Sequence, residues 1–256
     1  MSLKIDSYTV IATDLDGTLA ESKAPISPKM INTLANWLND RRFAVISGGN
    51  YGQFVKQITS QLPGGANFEN LFLFPTNGAA CYAFQGGGWR QVYEDTLTEL
   101  ERNVIITAFE KVKTIEALIP FMVPERLYGE QIEYRGGQIT FSGLGQDTPL
   151  TIKSTWDPDQ VKRKAIITEL EPLLSDFTIK IGGTSSIDVT RKGIDKAYAI
   201  EKMKNLLNAD NDHIVYFGDA LFEGGNDWAA IRTGVNCIKV ENPEDTMNRI
   251  IEIMSA

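Results

Sequence analysis

Residues 8–13 form a short unbroken run of apolar and β-branched positions (YTVIAT), the pattern of a strand covered on both faces. Ser27-Pro28 then reads as a helix N-cap followed by proline at the first helical position, and the helix is expected to run to about residue 40. A second buried strand is expected over residues 43–47 (FAVIS). Asn50 is suited to cap a helix reaching about residue 62, where Pro63-Gly64-Gly65 breaks the pattern. Residues 71–74 (LFLF) make a third strand. Strands and helices alternating at this spacing predict βαβ units and a parallel sheet.

The pattern changes at Gly86-Gly87-Gly88. A helix is expected over residues 98–118, then strands 132–135 and 138–141 around Gly136-Gly137, a two-residue hairpin signal. Asp157-Pro158 is expected to open a helix to about residue 174, followed by strands 178–181 and 186–189. Helix, hairpin, helix and two strands describe an α+β unit with an antiparallel sheet. After Gly193 the alternation returns, with a helix over 195–207, a strand over 214–217, a helix near Asn226, a strand over 235–240 and a last helix opened by Pro243-Glu244. The predicted fold class is therefore α/β, with a parallel-sheet Rossmann-like core in residues 1–86 and 190–256 and an inserted α+β cap in residues 87–189.

Composition narrows the functions available. The chain has 256 residues, 43% of them hydrophobic, and a formal net charge of -8. An acidic surface repels nucleic-acid phosphates and anionic lipid, so neither nucleic acid nor membrane is an expected partner. No apolar stretch approaches the length of a membrane span and no leader pattern is visible, so the expected compartment is the cytoplasm. Cys81 and Cys237 lie in apolar runs and read as buried, reduced thiols. The single histidine, His213, precedes a strand and reads as a surface or capping residue.

Chemistry concentrates in Asp14-Leu15-Asp16-Gly17-Thr18, directly after the first strand, where open α/β sheets place their ligands. Two carboxylates two residues apart on an extended segment point the same way and repel each other unless a cation or a shared proton compensates. A hard divalent ion with oxygen ligands fits, and Mg2+ is the usual one beside phosphate. Gly17 lets the chain turn away. This DLDGT segment resembles the first motif of the haloacid dehalogenase (HAD) superfamily. The resemblance implies that Asp14 attacks phosphorus to form an aspartyl-phosphate and that Asp16 is the general acid/base, giving its backbone carbonyl to the metal. The later motifs follow in order. Ser47-Gly48-Gly49 ends the second strand, and a hydroxyl with glycine N–H groups at a helix N-terminus makes an anion cradle, joined by Gly17 and Thr18. Lys196 matches the motif-three lysine. Asp219 matches the motif-four metal ligand, with Asp227 behind it.

A closer resemblance covers nearly the whole chain. Gly218-Asp219, four residues, then Gly224-Gly225-Asn226-Asp227 looks like the GD-x4-GGND of the eukaryotic-type phosphomannomutases, within subfamily IIB. So do Phe74-Pro75-Thr76-Asn77-Gly78 and Pro243-Glu244-Asp245-Thr246. In the insert, Ile132-Glu133-Tyr134-Arg135 resembles that family's IEFR, and the segment holding Ser186 and Asp188 resembles its GGQISFDV. The resemblance implies that Arg135 binds the phosphate remote from the reaction and that Ser186 and Asp188 hold the sugar; the oligomeric state stays open, with a homodimer among the possibilities. Three places depart from it: Tyr128 and Gln146 stand where the family has arginines of its remote-phosphate cluster, although Arg126 lies nearby, and Ser47-Gly48-Gly49 stands where the family reads GGS. Tyrosine and glutamine cannot grip phosphate bidentately as guanidinium does. Two activities stay open: a phosphomannomutase-like transfer of phosphate between C6 and C1 of a hexose, and a sugar-phosphate phosphatase in which water attacks the aspartyl-phosphate. A non-catalytic binding protein would be marked by loss of Asp14 or Asp219, and both are present.

Overall fold

The computed structural model describes residues 8–255. In chain order the elements are β1 (Val10–Thr13), α1 (Pro28–Leu38), β2 (Arg42–Ile46), α2 (Tyr51–Phe54), β3 (Leu71–Phe74), β4 (Ala80–Gln85), β5 (Gly88–Glu94), α3 (Glu99–Val112), α4 (Ile119–Met122), β6 (Ile132–Tyr134) and β7 (Gln138–Ser142). They continue with α5 (Leu150–Trp156), α6 (Val161–Leu170), β8 (Phe177–Gly182), β9 (Ser186–Arg191), α7 (Lys196–Leu207), β10 (Ile214–Gly218), β11 (Asn236–Lys239) and α8 (Pro243–Met254). They form two compact units, one of the chain up to Glu94 together with Ile194 onward, the other Asp95–Gly193.

The first unit is built on a seven-stranded sheet in the order β11-β10-β1-β2-β3-β4-β5. Its first five strands run parallel. The unbroken apolar runs follow from cover on both faces. Ile11, Phe43, Val45, Val215 and Phe217 pack toward Leu34 and Trp37 of α1 and Ile250 and Ile253 of α8. Val10, Ala12, Ala44, Ile46 and Tyr216 pack toward Ala199, Ile200 and Met203 of α7. Ser27 caps α1 as expected, its hydroxyl accepting from Met30 N, and Asn242 caps α8 by accepting from Asp245 N. Thr13 pairs with Phe217 on one side and Val45 on the other, so β1, β2 and β10 end side by side.

Three expectations are corrected here. The glycines at 86 and 87 do not open the insert. They turn a hairpin, with φ of 59° and 80°, and β4 and β5 extend the core sheet antiparallel to β3. The second unit therefore starts at Asp95 rather than residue 87, and it ends at Gly193 rather than 189 because β9 continues to Arg191. The Asn50 helix is α-helical only through Phe54 and then widens into a π-helical turn, Val55–Thr59. The helix near Asn226 is a 3-10 helix, Trp228–Thr233.

The second unit holds an antiparallel sheet in the order β6-β7-β9-β8. Period-two alternation separates its faces. Ile139, Phe141, Ile187 and Val189 meet Ile105 and Phe109 of α3 and Ile166 and Leu170 of α6. On the other face Glu133, Thr140, Asp188 and Lys180 stand in register across all four strands. The helix expected over 98–118 stops at Val112, and the chain restarts as α4 with Pro120 in its first turn, where a missing N–H is tolerated. The helix expected from Asp157 begins at Val161: Gln160 is left-handed, and the Asp157 carboxylate reaches over it to the N–H groups of Lys162 and Arg163. Arg163 and Asp157 form a buried ion pair at 2.8 Å, and Arg163 Nη1 donates to the carbonyls of Gly182 and Gly183, tying α6 to the turn before β9.

The Phe109 and Phe141 rings stack with centroids 5.0 Å apart, both fully buried. Phe141→Ala should cost about 3–5 kcal/mol of stability in the second unit. Amide exchange in β7 and β9 should accelerate while β1 and β10 keep their protection, and unaltered exchange in β7 would refute the role given to the ring pair.

Candidate active site

Asp14 is the first residue beyond β1, and its N–H donates to the Phe217 carbonyl at 3.0 Å, extending the parallel ladder by one step. The chain then folds back, Gly17 N donating to Ala20 O at 2.8 Å. Gly17 sits at φ +86°, and a Cβ there would lie 2.8 Å from Asp219 Oδ2, so glycine is required both by the turn and by the carboxylate beside it. Thr18, wholly buried, fixes that carboxylate: its hydroxyl donates to Asp219 Oδ1 at 3.1 Å and accepts from Asp219 N at 3.0 Å.

Lys196 opens α7, whose N-cap is Asp195, accepting from Ala197 N and Tyr198 N. It is fully buried. Its ammonium donates to Asp14 Oδ1 at 2.5 Å and to the Ile46 carbonyl, and lies 3.6 Å from Asp227 Oδ1. Asp227 also accepts from Tyr216 Oη at 2.5 Å and from Ala220 N at 3.1 Å. A Cβ at Gly218 would meet the Asp227 carboxylate at 2.7 Å, a second glycine required by close approach.

Asp14, Asp219 and Asp227 each offer a carboxylate oxygen within 4.8 Å of the others. Burial pushes the Asp14 carboxyl up to about 7, Lys196 opposing the rise and the charge of Asp227 adding to it. Asp219 is raised by burial and then by Asp227. Burial acts against the Lys196 ammonium, but Asp14 and Asp227 outweigh it and lift Lys196 above its ordinary range. Three carboxylates against one ammonium leave two negative charges uncompensated, with hard oxygen donors converging. That donor set and that deficit fit a divalent cation. Asp16, the other acidic residue of the first motif, is not one of these three carboxylates and has its own set of donors. It accepts from Lys23 N at 2.8 Å, Gln53 Nε2 at 2.9 Å and Gln57 Nε2 at 3.1 Å.

Ser47 follows β2 and is buried, its N–H donating to Phe74 O at 3.1 Å. Its hydroxyl accepts from Gly49 N at 3.3 Å. The loop after β3 laces onto this turn, Thr76 N donating to Gly49 O and Asn77 N to Ser47 O. Thr76 and Asn77 are both left-handed, with φ of 51° and 55°, an unfavourable state for a β-branched residue. A Cβ at Gly78 would stand 2.4 Å from Ala199 Cβ, so the loop is pressed onto α7, the helix that begins with Lys196. Gly17 and Thr18 thus stand against the Asp219 carboxylate, and Ser47 directly follows Ile46, whose carbonyl accepts from Lys196.

Arg135, Ser186 and Asp188 belong to the second unit, on the polar face of its sheet. Arg135 Nη2 pairs with Glu133 Oε2 at 2.6 Å, and Asp188 Oδ1 accepts from Thr140 Oγ1 at 2.8 Å. The Gln146 amide donates to the carbonyls of Gln131 and Thr140, each at 3.2 Å, and the Arg126 guanidinium covers the Tyr128 ring at 4.6 Å. His213 is exposed, at the opposite end of β10 from Asp219. Both cysteines are free; Cys81 is buried as expected, whereas Cys237 is only half-buried. Gln53 and Gln57 were not anticipated, because nothing in the helical phase of residues 50–62 marks an amide that reaches Asp16.

The seven-stranded, mostly parallel sheet, with an acidic cluster at its carboxyl edge, gives the chain a HAD-like fold. The fold matches a haloacid dehalogenase-like hydrolase from Bacteroides thetaiotaomicron (TM-score 0.67, 17% identity, 96% of this chain and 99% of that one). It also matches an IMP-bound IMP-nucleotidase from Plasmodium falciparum (TM-score 0.69, 15% identity, 100% of this chain and 70% of that one). Residues 30–256 match the sequence profile of the eukaryotic phosphomannomutases, and the chain belongs to that family. It is 27% identical over 258 residues to a phosphomannomutase of Encephalitozoon cuniculi, covering 96% of this chain and 93% of that protein. It is 28% identical over 253 residues to one of Spinacia oleracea, covering 94% and 93%.

Removing the ammonium should expose the repulsion it offsets. Lys196→Met should destabilise the first unit by about 3–5 kcal/mol, the usual cost of breaking a buried ion pair from one side. Equilibrium urea unfolding followed by tryptophan fluorescence measures it, Trp37, Trp89 and Trp228 of the first unit contributing to the signal, and a midpoint equal to the parent's would contradict the pairing.

Proposed function

We propose that this chain transfers a phosphoryl group on hexose phosphates through an aspartyl-phosphate on Asp14, as a Mg2+-dependent phosphomannomutase-like enzyme interconverting mannose 6-phosphate and mannose 1-phosphate. The observation that carries the reading is the 2.5 Å contact of Lys196 on Asp14 Oδ1, which leaves Asp14 Oδ2 as the oxygen to attack phosphorus. As Asp14 Oδ2 bonds to phosphorus, the bond from phosphorus to the sugar oxygen breaks, and Asp16 delivers a proton to that oxygen. In the return step Asp16 takes the proton of the accepting hydroxyl, phosphorus passes to that oxygen, and Asp14 is released. Ser47 and the N–H groups of Gly48 and Gly49 receive the phosphate oxygens with Gly17 and Thr18. The side chains of Asp14 and Asp219 with the Asp16 carbonyl would hold Mg2+, and Asp227, gripped by Tyr216 and Ala220, would steady them. When bound, the ion offsets the charge of carboxylates and phosphate and polarises the phosphoryl group. In the insert Arg135, Ser186 and Asp188 would hold the far end of the sugar. The partner is thus a small sugar phosphate; among the described residues no helix is long and apolar enough to cross a membrane, in keeping with a cytoplasmic enzyme.

A second reading, hydrolysis of a sugar monophosphate, is favoured by one observation. The Gln146 amide is committed to two backbone carbonyls and Tyr128 to Arg126, so neither offers a guanidinium fork to a second phosphate. Phosphorus NMR on mannose 6-phosphate, with and without a hexose bisphosphate, separates the two: the ester signal moves to the 1-phosphate in a mutase, and inorganic phosphate accumulates in a phosphatase.

Asp14→Asn should abolish turnover, because an amide is a poor nucleophile, while circular dichroism stays that of the parent; activity near the parent's would reject the mechanism. Arg135→Ala should lower kcat/KM on hexose phosphates by roughly 10–150-fold, the value of one charge-assisted contact, and spare a small aryl phosphate. An equal loss on both substrates would make Arg135 a structural residue of the insert.

A further inference from the structure

The carboxylate of Asp16 is held from three directions. Lys23 N and Gln57 Nε2 donate to Oδ1 at 2.8 and 3.1 Å, and Gln53 Nε2 donates to Oδ2 at 2.9 Å. Both amides come from the segment that follows the Ser47-Gly48-Gly49 turn, where α2 passes into the π-helical turn Val55–Thr59. Such wide turns are rare and gather at functional sites. Gln53 lies against the glycine turn, its Oε1 only 2.3 Å from where a Cβ of Gly49 would be. Gln57 is wholly buried and also donates to the Ala24 carbonyl at 2.8 Å. Its Oε1 is buried with no donor.

That orphaned acceptor argues against a role in stability alone, since an unpaired buried carbonyl costs folding energy. An apolar side chain of the same shape would fill the space without that cost. What an amide adds is a fixed N–H. Rotation of an aspartate about its Cβ–Cγ bond is soft and roughly two-fold, so a free carboxylate has no defined lone-pair direction. One amide donor on each oxygen removes that freedom.

We propose that Gln53 and Gln57 are positioning residues that hold the Asp16 carboxylate in the orientation needed to pass a proton to the leaving oxygen of the substrate. The proposal rests on the general acid/base reading of Asp16. It predicts a dependence on the leaving group. A sugar alkoxide must be protonated as it departs; p-nitrophenolate leaves without a proton.

The experiment compares parent, Gln53→Met, Gln57→Met and Asp16→Ala, with mannose 1-phosphate in steady state and with p-nitrophenyl phosphate in the pre-steady-state burst, which reports phosphorylation of Asp14 alone. Each methionine variant should lose about 10–100-fold in kcat on the sugar phosphate, part of the roughly 10²–10⁴-fold worth of the acid itself. KM should stay within about two-fold, and the aryl-phosphate burst rate within about three-fold, as expected when only proton transfer is impaired. The melting temperature of Gln57→Met should match or exceed the parent's. If Asp16→Ala is leaving-group selective and the glutamine variants are not, the glutamines are structural and the proposal fails while the reading of Asp16 stands. If Asp16→Ala is itself unselective, that reading fails and the proposal falls with it. Should Gln57→Met not fold, the half-exposed Gln53→Met decides alone.

Discussion

Three carboxylates converge beside one buried ammonium where β1 and β10 end, and their repulsion governs what surrounds them. Lys196 touches Asp14, reaches Asp227 and anchors on the Ile46 carbonyl, so one side chain ties the ends of β1, β2 and β10 together. The neighbours are chosen by the same charge. Thr18 and Tyr216 spend their hydroxyls on Asp219 and Asp227, and Gly17 and Gly218 leave no Cβ that would displace those carboxylates. Burial keeps water from screening the cluster, and so Asp14 is pushed up to about 7 despite its ammonium partner. Three converging carboxylates with one ammonium among them make a donor set that suits a divalent cation.

The second unit solves a different problem. One face of its sheet is an ordinary core; the other is polar at every position, with Glu133, Thr140, Asp188 and Lys180 aligned across four strands. The two acids and two bases among Glu133, Arg135, Lys180 and Asp188 sum to zero charge. Such a face offers both donors and acceptors, the chemistry that the sugar-holding role proposed for Arg135, Ser186 and Asp188 calls for.

Two consecutive left-handed residues lie beside the turn that receives phosphate in the proposed mechanism. Thr76 and Asn77 hold left-handed backbone in order to lace the β3 loop onto Ser47 and Gly49, and Gly78 packs that loop against α7. The loop is thereby laced to the glycine turn on one side and packed on α7, the helix that begins with Lys196, on the other.

The sequence by itself determined the alternating strands and helices of the parallel core, the antiparallel sheet of the insert, and three acidic residues that converge, Asp14, Asp219 and Asp227. These are properties of local pattern: apolar periodicity, cap residues and motifs placed at strand ends. Pattern could not tell that Gly86-Gly87 closes a hairpin of the core sheet, since a two-glycine turn looks the same at a domain border as within a sheet. Nor could it show that residues 55–59 widen into a π turn, because that turn answers to Asp16 and Ala24, more than thirty residues away in sequence. Tertiary structure alone decided which donors meet the Asp16 carboxylate, that Asp227 stands in contact with Lys196, and that Gln146 is occupied by backbone. Each of these is a contact between distant segments, and contacts at that range leave no period in the chain.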